Sequence, residues 1–82
     1  MKLDESLIHY SDNEIKIEDD DILSLIKYLC GHGVSFYIII CREENKAYDI
    51  CTTPEQATEK CIMLESKNKG KHFIYNLIHN NQ

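Results

Sequence analysis

Apolar residues recur with helical spacing in an early segment of the chain. Four of them stand at i, i+3, i+4 and i+7, which places them on one side of a helix: Ile22, Leu25, Ile26 and Leu29. The acidic residues 19–21 precede them, where a helix favours negative charge and an Asp can cap free amides. Gly31 and Gly33 follow as stop signals. The pattern predicts a helix over residues 20–31.

A second helix is marked by its start signal. Thr53 offers a capping hydroxyl, Pro54 suits the first helical position, and Gln56 completes a capping box. Ala57, Cys61 and Leu64 then recur at i, i+4 and i+7. With Gly70 as the stop, the pattern predicts a helix over 54–69.

Three segments have the β-branched and aromatic content of strands. They are residues 34–41, 47–52 and 71–78. The polar stretch 42–46 joins the first two and is typical of a hairpin turn, so Glu43 and Glu44 are interpreted as solvated turn residues. Before the first helix, 6–10 and 14–17 are short apolar pieces around a turn-like 11–13. They are compatible with one bent strand, a small hairpin or a helical turn.

The order of elements predicts a topology. Gly33-Val34-Ser35-Phe36 and Gly70-Lys71-His72-Phe73 match at an offset of 37 residues, and each follows a helix and opens a strand. We therefore expect an α+β protein of ferredoxin-like βαββαβ topology, with two helices on one face of a four-stranded antiparallel sheet. Residues 1–82 form one small domain, in which the conformation of 1–13 is left open and the polar tail 79–82 is expected to fray.

The chain resembles RNA recognition motifs over residues 14–78. The resemblance lies in 18–34 for the first helix and its turn, in 52–65 for the second helix, and in 46–51 for the third-strand motif. It implies the βαββαβ fold and, as one functional expectation, binding of single-stranded RNA by Tyr48 and Lys46. Asp49 and Ile50 stand where that family has a small residue and a stacking aromatic residue.

Strand alternation predicts which residues face the helices. The internal match places Phe36, Ile38 and Ile40 on the helix side, together with Phe73, Tyr75 and Leu77. The other face would then be open and apolar, which is typical of a partner surface or a homodimer interface. We expect four residues to form this protein-binding face: Tyr37, Ile39, Ile74 and Ile78. The alternative is that residues 1–15 fold across this face. A strand register inverted by one residue would exchange the residues of the two faces.

Charge is distributed unevenly. The net charge is −5, and all of it arises in residues 1–29, because residues 30–82 carry six acids and six bases. This balance disfavours a general nucleic-acid binder, since phosphates are bound mainly by Lys and Arg. Four consecutive acids form a candidate interaction patch for a basic surface: Glu18, Asp19, Asp20 and Asp21. Helix capping and solvation are the other interpretation of the same residues.

The sequence contains no motif for catalysis or for cofactor binding. The four cysteines lie ten or eleven residues apart without a close pair, so we expect small buried residues rather than a metal site. There is no phosphate loop and no nucleophile motif. The acidic first ten residues do not resemble a signal peptide, and no apolar run could span a bilayer. We expect an intracellular, cytoplasmic protein in a reducing compartment, without a membrane partner.

The leading functional hypothesis is a small, non-catalytic protein-binding module. The abundance of Ile, Lys and Asn matches an AT-rich genome, such as that of a phage or mobile element, whose small proteins often regulate or inhibit a larger one. One alternative is an RNA-binding domain similar to RNA recognition motifs. A second alternative is a ligand-binding or enzymatic ferredoxin-like dimer. No cofactor is expected.

Overall fold

A computed structural model describes residues 9–10 and 13–79 of the chain. It contains two helices and five strands, two of them very short. In chain order they are β1 (His9–Tyr10), β2 (Asn13–Glu14), α1 (Asp20–Gly31), β3 (Phe36–Cys41), β4 (Lys46–Cys51), α2 (Pro54–Lys67) and β5 (Phe73–Ile78). Both predicted helices and all three predicted long strands are present, and the α+β class is confirmed.

The main sheet has three antiparallel strands in the order β4-β3-β5. Strand β3 is therefore central, and β4 and β5 are its two neighbours. The fourth strand that the sequence predicts is not shown among the described residues. Between the described residues before α1 and the main sheet there is one isolated parallel bridge, in which the Lys16 N–H donates to Asn45 O and the Ala47 N–H donates to Lys16 O, both at 2.9 Å.

The described part of the N-terminal region forms a small hairpin, which was one of the predicted alternatives. His9 pairs with Glu14 and Tyr10 with Asn13. Ile15, directly after the hairpin, is buried in the core at 2% exposure. The predictions for residues 1–8 and for the last three residues of the tail lie outside the described residues.

Each helix begins at a capping side chain that the sequence identifies. The Asp19 carboxylate accepts from the Asp21 N–H at 2.8 Å, and the Thr53 hydroxyl accepts from the Gln56 N–H at 3.2 Å. The second half of the predicted capping box differs, because the Gln56 side chain meets the Thr52 hydroxyl at 3.4 Å. Helix α2 ends two residues early, at Lys67, where the Asn68 side chain donates to Leu64 O.

The two helices cover opposite faces of the sheet. On one face, Ile38 belongs to a core cluster with Ile26 of α1. On the other, Ile39 belongs to a separate cluster with Ala57 of α2. Because consecutive strand residues point to opposite faces, these clusters lie on either side of β3. The prediction of both helices on one face is therefore wrong, and every β3 residue except Tyr37 is fully buried.

The pairing of β3 with β5 explains the difference. Phe36 pairs with Ile78, and Cys41 pairs with Phe73, so Phe36 and Phe73 lie on opposite faces. Phe36 packs in the α1 cluster and Phe73 in the α2 cluster. Each phenylalanine thus packs beneath the helix that precedes its own strand. The internal match predicts this local relationship correctly, but it does not specify on which face each helix lies.

Candidate interaction surface at the edge of the sheet

The predicted open sheet face does not exist in the structure. Its four residues are divided between the two covered faces: Tyr37 and Ile39 lie towards α2, and Ile74 and Ile78 lie towards α1. Ile39 is completely buried and Ile78 is 7% exposed. This prediction is wrong because it assumed a two-layer protein, whereas helices cover the sheet on both sides.

The acidic patch is exposed, as expected, and two of its members have local partners. Asp19 caps α1, and the Glu18 carboxylate lies 3.2 Å from Lys46 Nζ. Asp20 and Asp21 occupy the first turn of α1, where the partial positive charge of the helix start favours them. The capping interpretation accounts for this arrangement without a partner.

The residues proposed to bind RNA contact neighbouring side chains. The Tyr48 hydroxyl donates to Glu44 at 2.5 Å, and the Tyr48 ring packs edge-on against Phe73 with 5.0 Å between centroids. The hydrogen bond to Glu44 raises the pKa of Tyr48. Lys46 is paired with Glu18, which raises the Lys46 pKa. A base stacking on Tyr48 would need to displace these contacts.

All four cysteines are free thiols, and they pack within or beside the two core clusters. Cys30 lies in the α1 cluster, whereas Cys41 and Cys51 lie in the α2 cluster beside the half-buried Cys61. Burial raises the pKa of Cys30, Cys51 and Cys61, so these groups are held as neutral thiols. Among the described residues, no group of three or more metal-ligating side chains comes together.

The turn between β3 and β4 is tied to the start of β5. Glu43 accepts from the His72 N–H and lies 2.7 Å from His72 Nδ1, while Glu44 lies 2.5 Å from Lys71 Nζ. The backbone hydrogen bond from His72, followed by its ring, lowers the Glu43 pKa to about 2. These glutamates are therefore more than solvated turn residues, which the sequence could not indicate because their partners lie almost thirty residues away.

An open cleft of about 360 Å³ lies between β4 and α2. Two charged residues that line the cleft form an ion pair with each other, since Lys60 Nζ lies 3.1 Å from the Asp49 carboxylate. Met63 and Gln56 line the same space. The cleft has no buried, unpartnered polar group that would recognise a ligand, because the described residues contain none.

The outer edge of β5 carries backbone N–H and C=O groups that could pair with a further strand. The Arg42 N–H donates to His72 O, whereas the Phe73 N–H points away from β3 and donates to the Glu65 carboxylate at 3.0 Å. Because backbone direction alternates along an antiparallel strand, Tyr75 and Leu77 also direct their N–H and C=O groups outward. Within the described part of the chain, no strand pairs with this edge.

The side chains along this edge are apolar and partly exposed. Tyr75 is 38% and Leu77 is 42% exposed, and both lie on the α2 face of the sheet. Ile62, one turn before Glu65 on the same side of α2, is 63% exposed. Strand β5 contains no charged residue. We call Ile62, Tyr75 and Leu77, with the outward backbone groups of β5, the β5 edge surface.

The sequence carries only part of the signal that marks this surface. Unguarded edge strands pair readily with other chains, and proteins usually protect them with Lys, Glu or Pro. The sequence of residues 73–78 lacks all three. That β5 is an edge strand, however, follows only from the sheet order, which local patterns do not specify.

Comparison with known proteins assigns no family. The chain matches no protein-family model, no curated protein and no solved structure. No helix within the described ranges is both long and apolar enough to cross a membrane.

Proposed function

We propose that this chain is a non-catalytic protein-interaction module that binds an extended polypeptide segment along β5. The observation that carries the proposal is the outward backbone of Tyr75 and Leu77, which has hydrogen-bonding capacity and no strand beside it among the described residues. Strand addition at such an edge is a common mode of protein recognition.

Backbone and side chains have different roles in this mode. The N–H and C=O groups of β5 supply hydrogen bonds that any extended segment can make. Specificity comes from the alternating side chains, with Tyr75 and Leu77 on the α2 face, the side that also carries the exposed Ile62, and Ile74 and Asn76 on the α1 face. A strand with apolar residues at alternate positions fits this surface better than a charged one.

Two matched substitutions test the proposal. Leu77→Lys places a charge on the β5 edge surface, and Leu25→Lys makes the same change on α1 at a nearly equal exposure of 40%. The tagged chain and both variants would be used to capture partners from a lysate of the encoding organism, with and without nuclease, followed by mass spectrometry.

A partner that survives nuclease, is lost with Leu77→Lys and is retained with Leu25→Lys supports the proposal. Capture that is equal for all three proteins contradicts it. Recovery of RNA, or of partners lost on nuclease treatment, supports instead the alternative of an RNA-binding domain. Tyr48→Ala would then be expected to weaken that binding.

Two narrower ideas accompany the proposal. An inhibitor directed at a basic groove would use the exposed acids Asp20 and Asp21 in addition to β5. For the fold, we propose that residues 15–17 act as a fourth strand that runs parallel to β4, which would complete a βαββαβ order of elements with one helix on each face of the sheet. The parallel bridge between Lys16 and Lys46 and the burial of Ile15 support this placement.

A further inference from the structure

We infer that the segment that binds β5 is the β5 strand of a second copy of this chain. This inference rests on the proposed function, because it identifies the occupant of the same surface. It requires that β5 be complementary to itself when two copies run antiparallel about a two-fold axis.

One register satisfies the backbone of both copies. If the axis passes beside Asn76, Tyr75 of each copy lies opposite Leu77 of the other. Tyr75 and Leu77 are the residues with outward N–H and C=O groups, so each of the two pairs exchanges two hydrogen bonds. Phe73 is excluded from this ladder because its N–H already donates to Glu65. The ladder therefore ends at the Glu65 side chain in each copy.

The same register matches the side chains. On the α2 face, Tyr75 packs against Leu77 of the other copy, and both exposed Ile62 side chains lie on that side. On the α1 face, Ile74 lies opposite Ile78, and the two Asn76 amides face each other across the axis. No charge from either β5 is brought into the interface, since the strand has none.

The polar groups at the two ends of the interface can form hydrogen bonds with each other. In this register, His79 of one copy lies opposite Phe73 of the other. The Glu65 carboxylate stands at Phe73 on the α2 face, and His79 would lie on the same face if the extended backbone continues one residue past β5. The exposed His79 imidazole of each copy would then be placed to donate a hydrogen bond to the Glu65 carboxylate of its mate. The exposed acids 18–21 stand at the start of α1, and Glu18 pairs with Lys46 of β4, which is the strand at the opposite edge of the sheet.

The first test is the solution mass of the full chain. Sedimentation from about 10 µM to about 1 mM should show a species of twice 9.6 kDa that dissociates on dilution. Leu77→Lys should weaken this association by about tenfold or more, because it brings two lysines into an uncharged interface. Leu25→Lys should associate like the wild type, and circular dichroism should show that all three proteins are folded.

The second test concerns the register. Asn76 would face its own copy in a pair without backbone hydrogen bonds, with a Cα separation of about 4.5 Å, which a disulfide can span. Asn76→Cys should therefore form a covalent dimer under mild oxidation. Ser24→Cys on the exposed side of α1 is the control and should not do so.

The outcomes separate the inference from the proposed function. A chain that is monomeric throughout, or a dimer that is unaffected by Leu77→Lys and not cross-linked through Asn76→Cys, overturns the inference. If that monomer nevertheless captures another protein through the β5 edge surface, the proposed function stands with a different occupant. If Leu77→Lys changes neither self-association nor capture, both are wrong.

Discussion

The Glu65 carboxylate of α2 lies 3.0 Å from the backbone nitrogen of Phe73, the first residue of β5. A side chain of the helix thereby occupies the place of a neighbouring strand at one end of the sheet edge. The rest of the edge, at Tyr75 and Leu77, has no such cover from the described residues. Because the Phe73 N–H is already bonded, strand addition along this edge would begin at Tyr75.

Removing this contact should loosen the start of β5. Glu65→Ala leaves the Phe73 N–H without its acceptor and should cost about 1 kcal/mol of folding free energy. Hydrogen exchange of the Phe73 amide should become faster, while exchange in α1 stays unchanged. Glu65→Gln keeps an oxygen acceptor and should retain most of the protection. Equal exchange rates in all three proteins would show that the contact does not hold the edge.

The two-faced core can be tested by small changes in each helix. Ile26→Val should cost about 0.5–1.5 kcal/mol and shift the methyl resonances of Ile38, which shares its cluster. Ala57→Val should strain the other cluster and shift those of Ile39. If either substitution moved both resonances equally, Ile38 and Ile39 would not be separated by the sheet.

Acid should weaken the link between Glu43 and His72. The folded pKa of Glu43 is about 2, below its ordinary value of 4.5, so the contact stabilises the protein fully above pH 4.5. That contribution is lost as the pH falls from 4.5 towards 2, where the carboxylate becomes protonated in the folded state. Because the largest cause is a backbone N–H, the effect does not require a charged imidazole.

Urea unfolding between pH 6 and pH 2 provides the measurement. The wild type should be more stable than Glu43→Gln at pH 6, and the difference should vanish near pH 2. Glu59→Gln, at an exposed position of α2, is the control and should show no comparable pH-dependent difference. A constant gap between the wild type and Glu43→Gln would contradict the assignment.

The acidic patch combines two roles that substitution can separate. Asp19→Ala removes the cap of α1 and should cost about 1 kcal/mol, whereas Asp19→Asn keeps an acceptor oxygen and should cost much less. Urea unfolding distinguishes the two. A protein that carries Glu18→Gln, Asp19→Asn, Asp20→Asn and Asp21→Asn should remain folded without the four charges.

That neutralised protein tests the inhibitor hypothesis. If a partner binds through these acids, its affinity for the neutralised protein should fall and should lose its dependence on salt. Unchanged binding with an unchanged salt dependence would reject a role for the patch and leave capping as its purpose.

Local patterns predicted the elements well because their causes are local. Thr53 and Pro54 mark the start of α2, and Asp19 marks that of α1. The arrangement of layers was missed because it depends on long-range pairing. The sequence of β3 does indicate a sheet that is covered on both faces, because residues 36–41 are apolar without alternation, which is typical of a strand buried on both faces. The β5 edge surface was missed because edge position follows from sheet order.

Consecutive residues Ile38 and Ile39 belong to different core clusters, one beneath α1 and one beneath α2. Neither cluster is complete without β3, so neither helix can keep its packing after the central strand is lost. The two halves of the molecule are thus a single cooperative unit. We expect heating to give one calorimetric transition, whose calorimetric and van't Hoff enthalpies agree, rather than a stepwise loss of one helix and then the other.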